Sequence, residues 1–342
     1  MKFGALPIDD AVGGIVVHSV RRRELVLKKG EIITLAHVAS LRDAGIDEVV
    51  VAQLETGDID EDDAAQRLAS AFAGANIRVQ RPFTGRCNLF ATCAGLLQVD
   101  TAALNGANEV DERLTIATLQ AWRQVAAGEM VATVKVIPFA VPEDKLVEVV
   151  ACAAQRPVRV AAFSALRVGV ISTLLPGLKT SVIDKTLHAL EQRLAPAGAS
   201  IVHKLNVAHA TTSVAAALEA SAPHCDILVV FGASAISDRR DVIPAALERT
   251  GGEIEQLGMP VDPGNLLLIG RLWERERRVH VLGAPGCARS PKENGFDWVL
   301  NRLLAGIEVT SRDIRHMGAG GLLTEIGRRG QLREGLGAVL KD

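Results

Sequence analysis

The second half of the chain alternates two hydrophobic patterns. "RVGVIST" from Arg167, "DILVVFG" from Asp226 and "LLLIGRL" from Leu266 are near-continuous apolar runs of strand length, as expected for strands buried on both faces. "SVIDKTLHALEQRLAPAGA" and "ATTSVAAALEASA" carry apolar residues at helical spacing, the first closed by Pro196 and Gly198. "SIVHKLNV" and "RRVHVLGAPG" add strands, a helix begins near Asp241, and "GFDWVLNRLLAG" is a further helix. This order predicts an α/β fold: a mostly parallel sheet covered by helices on both faces, a three-layer αβα arrangement with ligands bound outside the strand carboxyl ends.

The first half is less regular. "EMVATVKVIPFAVPEDK" reads as a strand closing a first α/β domain. "ETGDIDEDDAAQRLASAFAG" reads as a helix with an acidic start, favourable at the positive end of the helix dipole. Its Asp58, Asp60 and Asp62 fall at calcium-loop spacing, but Asp63 and Ala69 replace the required Gly and Glu. "PFTGRCNLFATCAGLLQVD" places Thr84, Gly85, Arg86 and Asn88 before an apolar helix, either as an anion site or as a turn with a cap. Asn105 and Asn108 read as turn and cap residues. The expected domains are 1–160, 165–310 and a C-terminal tail 311–342, packed on the second domain or docking a partner.

Composition narrows the class. Hydrophobic residues are 48% and charged residues 23%, ordinary for a globular protein, and the net charge of -2 provides no general attraction to nucleic acid or anionic lipid. The five cysteines form no CxxC pair and the histidines no zinc motif, so a zinc ribbon and a disulfide scaffold are both excluded and a reducing cytoplasm is expected. Neither a signal peptide nor a membrane-length apolar run is present, and Arg21, Arg22 and Arg23 read as a solvated face.

Four strand exits hold the candidate chemistry. In "STLLPGLKTS", Leu178 separates Gly177 from Lys179, which excludes a Walker A loop, while Thr173, Asp184 and Lys185 can face a ligand from strand end and helix start. In "GASAISDRRD", Gly232, Ala233 and Ser234 form a small-residue turn suited to an anion, though not a G-x-G-x-x-G fingerprint. Asp241 after it reads as a metal ligand or general base, or as a helix cap. "MPVDPGN" supplies Pro263, Gly264 and Asn265, and "GAPGCARSPKEN" supplies Pro285, Gly286, Arg289, Ser290 and Lys292 for a phosphate or other oxyanion. Together they suggest a groove for a large, polar, anionic small molecule.

This ordered set, from "IST" and "DKT" through "GASAISDRRDVIP" and "GMPVDPGN" to "GAPGCARSPKE", resembles the molybdopterin-binding domain of molybdopterin adenylyltransferases and molybdenum insertases over roughly 165–310. By that resemblance Gly232, Ala233, Ser234 and Asp241 match the family's glycine-rich loop and following Asp, and Pro285, Gly286, Ser290 and Lys292 its Pro-Gly turn. Ala233 stands where a second glycine is usual, and "NVAHATTS" brings His209 near the place where the adenylyltransferases tend to carry an acidic residue. "IDDAVGGIVVHSV" and the segment after it are similar to the N-terminal part of the insertases. The resemblance implies molybdopterin or its nucleotide form as ligand, with Mg²⁺ or molybdate at Asp241, and a homo-oligomer, by analogy a dimer. A separate nucleotidyltransferase or molybdoenzyme would be the partner, since the glycine-rich signature of a cytidylyltransferase domain is missing. It leaves open a catalyst, a non-catalytic carrier, and a pyrophosphatase acting on ADP-ribose-type nucleotides.

Overall fold

The computed structural model describes residues 1–22, 24–175 and 180–323. Its contacts divide the chain into two units, residues 1–162 and 163–342.

Unit 1 begins with β1 (Lys2–Pro7), β2 (Ile15–Val16), the hairpin β3 (Val20–Arg22) and β4 (Leu25–Leu27), α1 (Leu35–Asp43) and β5 (Glu48–Gln53). Strands β1, β5 and β2 form one antiparallel sheet over a small core that includes Val16, Leu41 and Val51. There follow β6 (Asp58–Asp60), α2 (Glu61–Phe72), β7 (Ile77–Val79), β8 (Arg86–Ala91), β9 (Gly95–Val99), α3 (Thr101–Val110), β10 (Leu114–Thr118), β11 (Gln124–Val125), β12 (Met130–Val136), β13 (Ala140–Pro142), α4 (Glu143–Ala151) and β14 (Val158–Ala162). A four-stranded sheet β10-β12-β8-β7 and a three-stranded sheet β11-β9-β14 share a core with α2, α3 and α4, centred on Leu68, Phe72, Leu89 and Val134.

The acidic run at 58–63 forms the predicted capped helix start: Asp60 accepts from the N–H groups of Asp62 and Asp63 at 3.1 and 3.0 Å. Asp60→Ala removes this cap and is expected to cost about 1 kcal/mol in chemical denaturation; no change would show that the acidic first turn suffices alone.

Two expectations in this unit are corrected. The run after Arg86 is strand, not helix, because Cys87, Leu89 and Ala91 face the core while Arg86, Asn88 and Phe90 alternate outward. Thr84 (φ 47°) and Gly85 (φ 68°) form the two-residue, left-handed turn of a tight hairpin closed by paired Phe83 and Arg86 backbone bonds. Asn105 and Asn108 lie inside α3, and the Asn108 amide bonds both backbone groups of Ile116, tying helix to strand.

Unit 2 contains β15 (Arg167–Leu174), α5 (Thr180–Leu194), β16 (Ser200–Ala208), α6 (Thr211–Ser221), β17 (Ile227–Phe231), α7 (Val242–Arg249), β18 (Glu253–Leu257), β19 (Leu268–Glu274), β20 (Arg277–Ala284), α8 (Gly295–Leu304) and α9 (Ser311–Arg315). They build one sheet of order β16-β15-β17-β20-β19-β18. The first four strands are parallel, and the β19 and β18 pairings are antiparallel. Leu190 and Leu194 of α5 and Phe296 and Leu300 of α8 fill the core on one face, and Val214 and Leu218 of α6 and Ile243 and Leu247 of α7 fill the other. This is the expected three-layer α/β fold with a mostly parallel sheet. The short strand β18, absent from the sequence reading, extends the far edge.

Ile314 and Met317, in the segment after α8, are buried in the α5–α8 core. The remainder of the expected tail, from residue 324 on, lies outside the described residues, as do Gly177 and Lys179. No helix among the described residues is long and apolar enough to cross a membrane.

Candidate functional site

The parallel strands end at one edge of the sheet, and adjacent strands there send their helices to opposite faces: α5 after β15 to one, α7 after β17 to the other. Such divergence opens a crevice beyond the strand ends. Strand β18 runs in the same sense as β20, because each is antiparallel to β19, so the 258–267 loop reaches this edge too.

A chain of hydrogen bonds crosses the edge. Arg289, after β20, donates through Nη2 to the Gly232 carbonyl after β17 at 2.9 Å. The next residue, Ala233, donates its N–H to Thr173 Oγ1 at the end of β15 at 2.7 Å. Thr173 Oγ1 lies 2.8 Å from His209 Nδ1, just past β16. Gly232 must be glycine, since a Cβ there would lie 2.6 Å from the Ser234 carbonyl oxygen. Ala233 is not left-handed, so the turn forms without the second glycine.

Arg289 is the electrostatic centre of the edge. Its Nη1 donates to Thr186 Oγ1 at 3.1 Å, and its guanidinium lies over the Phe231 ring, 5.3 Å from the centroid. Burial pulls its pKa below the usual guanidinium value, and no carboxylate among the described residues raises it. A half-buried cation without an acidic partner is costly unless an anion completes its shell.

Sequence reasoning missed Arg193. From the last turn of α5 its guanidinium, 8% exposed, pairs with Asp297 at 2.5 Å and donates to the carbonyls of Ala288, Ser290 and Lys292 at 3.0, 2.6 and 3.2 Å. It shapes the Arg289–Lys292 loop from beneath. An arginine in a helix's last turn is a common dipole partner, so nothing local distinguishes it.

The other expected residues are dispersed around this edge. Thr173 is buried within the hydrogen-bonded chain, and Ser234 is exposed on its loop. Asp184 and Lys185 are exposed on α5; the side chain of that turn bonded to the strand-end loops is Thr186. Pro285 precedes a 3₁₀ turn, Gly286–Arg289, and a Cβ on Gly286 would meet nothing within 4 Å, so the turn is open above it. Ser290 Oγ accepts from the Lys292 N–H at 3.3 Å, and the Lys292 side chain is exposed. Asn265 is exposed beside Gly264, whose φ of 134° and closeness to the Gly295 backbone seat this loop on the start of α8.

Asp241 caps α7: Oδ1 accepts from Val242 N–H at 2.9 Å and Oδ2 from Ser237 N–H at 3.2 Å. Asp238 pairs with Arg240 at 2.7 Å. Among the described residues no three His, Cys, Asp or Glu side chains gather to hold a metal ion. A protein-built Mg²⁺ site does not fit this donor set: Asp241 is engaged by two backbone bonds and Asp238 by Arg240, while Asp184 is exposed on α5 and Asp262 lies on the 258–267 loop.

Fold and edge thus define an α/β domain with a cationic strand-end crevice. Residues 143–305 match a family described as a probable molybdopterin binding domain. Residues 5–53 match a family described as a domain of unknown function. No curated protein matches the chain. Among solved structures, the tungsten cofactor synthesizing protein MoaB from Pyrococcus furiosus is similar at 19% identity, over 41% of this chain and 91% of that one, with a TM-score of 0.28. A molybdenum cofactor biosynthesis protein from the same organism aligns at 12% identity over 90% of this chain and 65% of that one, with a TM-score of 0.25. The molybdopterin biosynthesis moea protein from Pyrococcus horikosii aligns at 13% over 92% and 75%, with a TM-score of 0.28. Scores of this size do not establish a shared fold.

Proposed function

We propose that unit 2 binds molybdopterin, or its nucleotide form, across the ends of β15, β17 and β20. The observation that carries this reading is Arg289, a half-buried guanidinium with no carboxylate partner among the described residues, held at the edge of a molybdopterin-binding-type domain. The ligand's phosphate lies against Arg289, with Lys292 contributing long-range attraction and Ser290 shaping the loop. Ser234 borders the pterin, and the open side of Gly286 admits the ligand close to the backbone.

Carriage is favoured over catalysis, because both Asp241 oxygens accept cap bonds. A carrier would deliver its cargo to a separate nucleotidyltransferase or molybdoenzyme. In a catalytic version, Mg²⁺ or molybdate would arrive with the ligand and Asp241 would have to loosen its cap to engage it. If Asp241→Asn leaves cofactor formation intact, that version fails.

The test is an anaerobic fluorescence titration with molybdopterin. Saturable binding is expected for the wild type, with a loss of tenfold or more, roughly the effect of blocking a preformed pocket, in Ser234→Trp. Absence of wild-type binding would overturn the proposal, and metal-dependent cleavage of ADP-ribose would then point to a pyrophosphatase.

A further inference from the structure

The strand-end hydrogen bonds fix more than loop shape. Thr173 is 1% exposed, and its Oγ1 already accepts the Ala233 N–H. The hydroxyl proton of so buried a group needs an acceptor, and among the described residues the one within reach is His209 Nδ1 at 2.8 Å. With Thr173 donating to Nδ1, the ring carries a proton on Nε2, which is then its hydrogen-bond donor. The backbone of His209 is fixed as well, its N–H bonded to the Leu174 carbonyl at 3.0 Å. Arg289 and His209 thus stand at the two ends of one bonded chain spanning the four parallel strand ends, one a cation and the other an oriented N–H donor.

We propose that His209 is a ligand contact: with Nδ1 accepting from the Thr173 hydroxyl, its ring offers Nε2–H to an oxygen of a phosphate-bearing ligand, so that the edge holds its oxyanion without a divalent cation. This rests on the strand ends being the binding site. The donor set agrees, since Asp241 is engaged by Ser237 and Val242, Asp238 by Arg240, and these, with Asp184 on α5 and Asp262 on the 258–267 loop, form no cluster of three metal-ligating side chains among the described residues.

Two measurements on the full chain test it. Long-range ¹H–¹⁵N correlation of the histidine rings, with His209 assigned by difference against His209→Gln, should show Nε2 protonated and Nδ1 without a proton; a protonated Nδ1 overturns the assignment. Calorimetric titration with inorganic phosphate, which chelates Mg²⁺ far more weakly than pyrophosphate does, should give affinities within about twofold in Mg²⁺ and in EDTA, because no cluster of carboxylates among the described residues recruits the ion. His209→Asn should weaken binding by about ten- to a hundredfold and His209→Gln, which keeps an N–H near the Nε2 position, by much less. Dependence of phosphate binding on Mg²⁺, equal losses in Asn and Gln, or no phosphate binding would each overturn the proposal. Molybdopterin failing to bind while these results hold would remove the pterin reading and leave the His209 contact standing.

Discussion

Replacing Arg193 with methionine is expected to destabilise unit 2 by about 3–5 kcal/mol, the range for breaking a buried ion pair and leaving its partner uncompensated. Methionine retains most of the apolar stem but removes the fork that satisfies the carbonyls of Ala288, Ser290 and Lys292. Asp297, 15% exposed in the intact pair, would keep its capping bond to the Asn294 N–H but lose its cation. Arg193→Lys keeps the charge but cannot reach the same oxygens as a planar donor, so it should fall between. Denaturant unfolding reads the loss, and amide exchange should accelerate first at residues 286–294. A change below about 1 kcal/mol, the scale of an exposed pair, would show that the loop is held by α8 alone.

That loop marks the boundary of what sequence can reveal. Strands such as Ile227–Phe231 are fully buried, so their apolar runs identify them without tertiary knowledge. The small residues of the exits are legible for the same local reason: strand ends that turn tightly leave little room, as at Gly232. Arg86–Ala91 was harder, because an apolar run of that length with alanine and leucine suits either helix or strand. The helix reading passed over the two signals that favour a strand, the period-two alternation and the Thr84-Gly85 turn. Arg193 and Thr186 were not legible at all. Their partners, the 288–292 carbonyls and the Arg289 guanidinium, lie about a hundred residues away, and only the packing of α5 beside the β20 exit brings them together. Asp241, read from sequence as a metal ligand, a general base or a helix cap, sits at the N-cap of α7, and its second bond, from the Ser237 N–H, depends on the loop folding back to it.

Arg289→Leu is the sharpest test of the edge itself. Truncating one side of a hydrogen-bonded, desolvated charge pair costs about 2–5 kcal/mol in binding, so molybdopterin affinity should fall by roughly thirtyfold or more. The apo protein should suffer far less. The leucine leaves the Gly232 carbonyl and the Thr186 hydroxyl without this donor, but it also removes a guanidinium that burial makes unfavourable to charge. Binding and stability therefore separate: inorganic phosphate should raise the melting temperature of the wild type, because an anion that binds only the folded state stabilises it in proportion to its occupancy, and should leave the leucine variant unmoved. Arg289→Lys should retain part of the phosphate effect, since it restores a point charge without the fork that grips Gly232 and Thr186 together. If the leucine variant bound molybdopterin as tightly as the wild type, the half-buried guanidinium would be a structural tie between the β17 and β20 loops, and the phosphate would have to be sought at the exposed Lys292 instead.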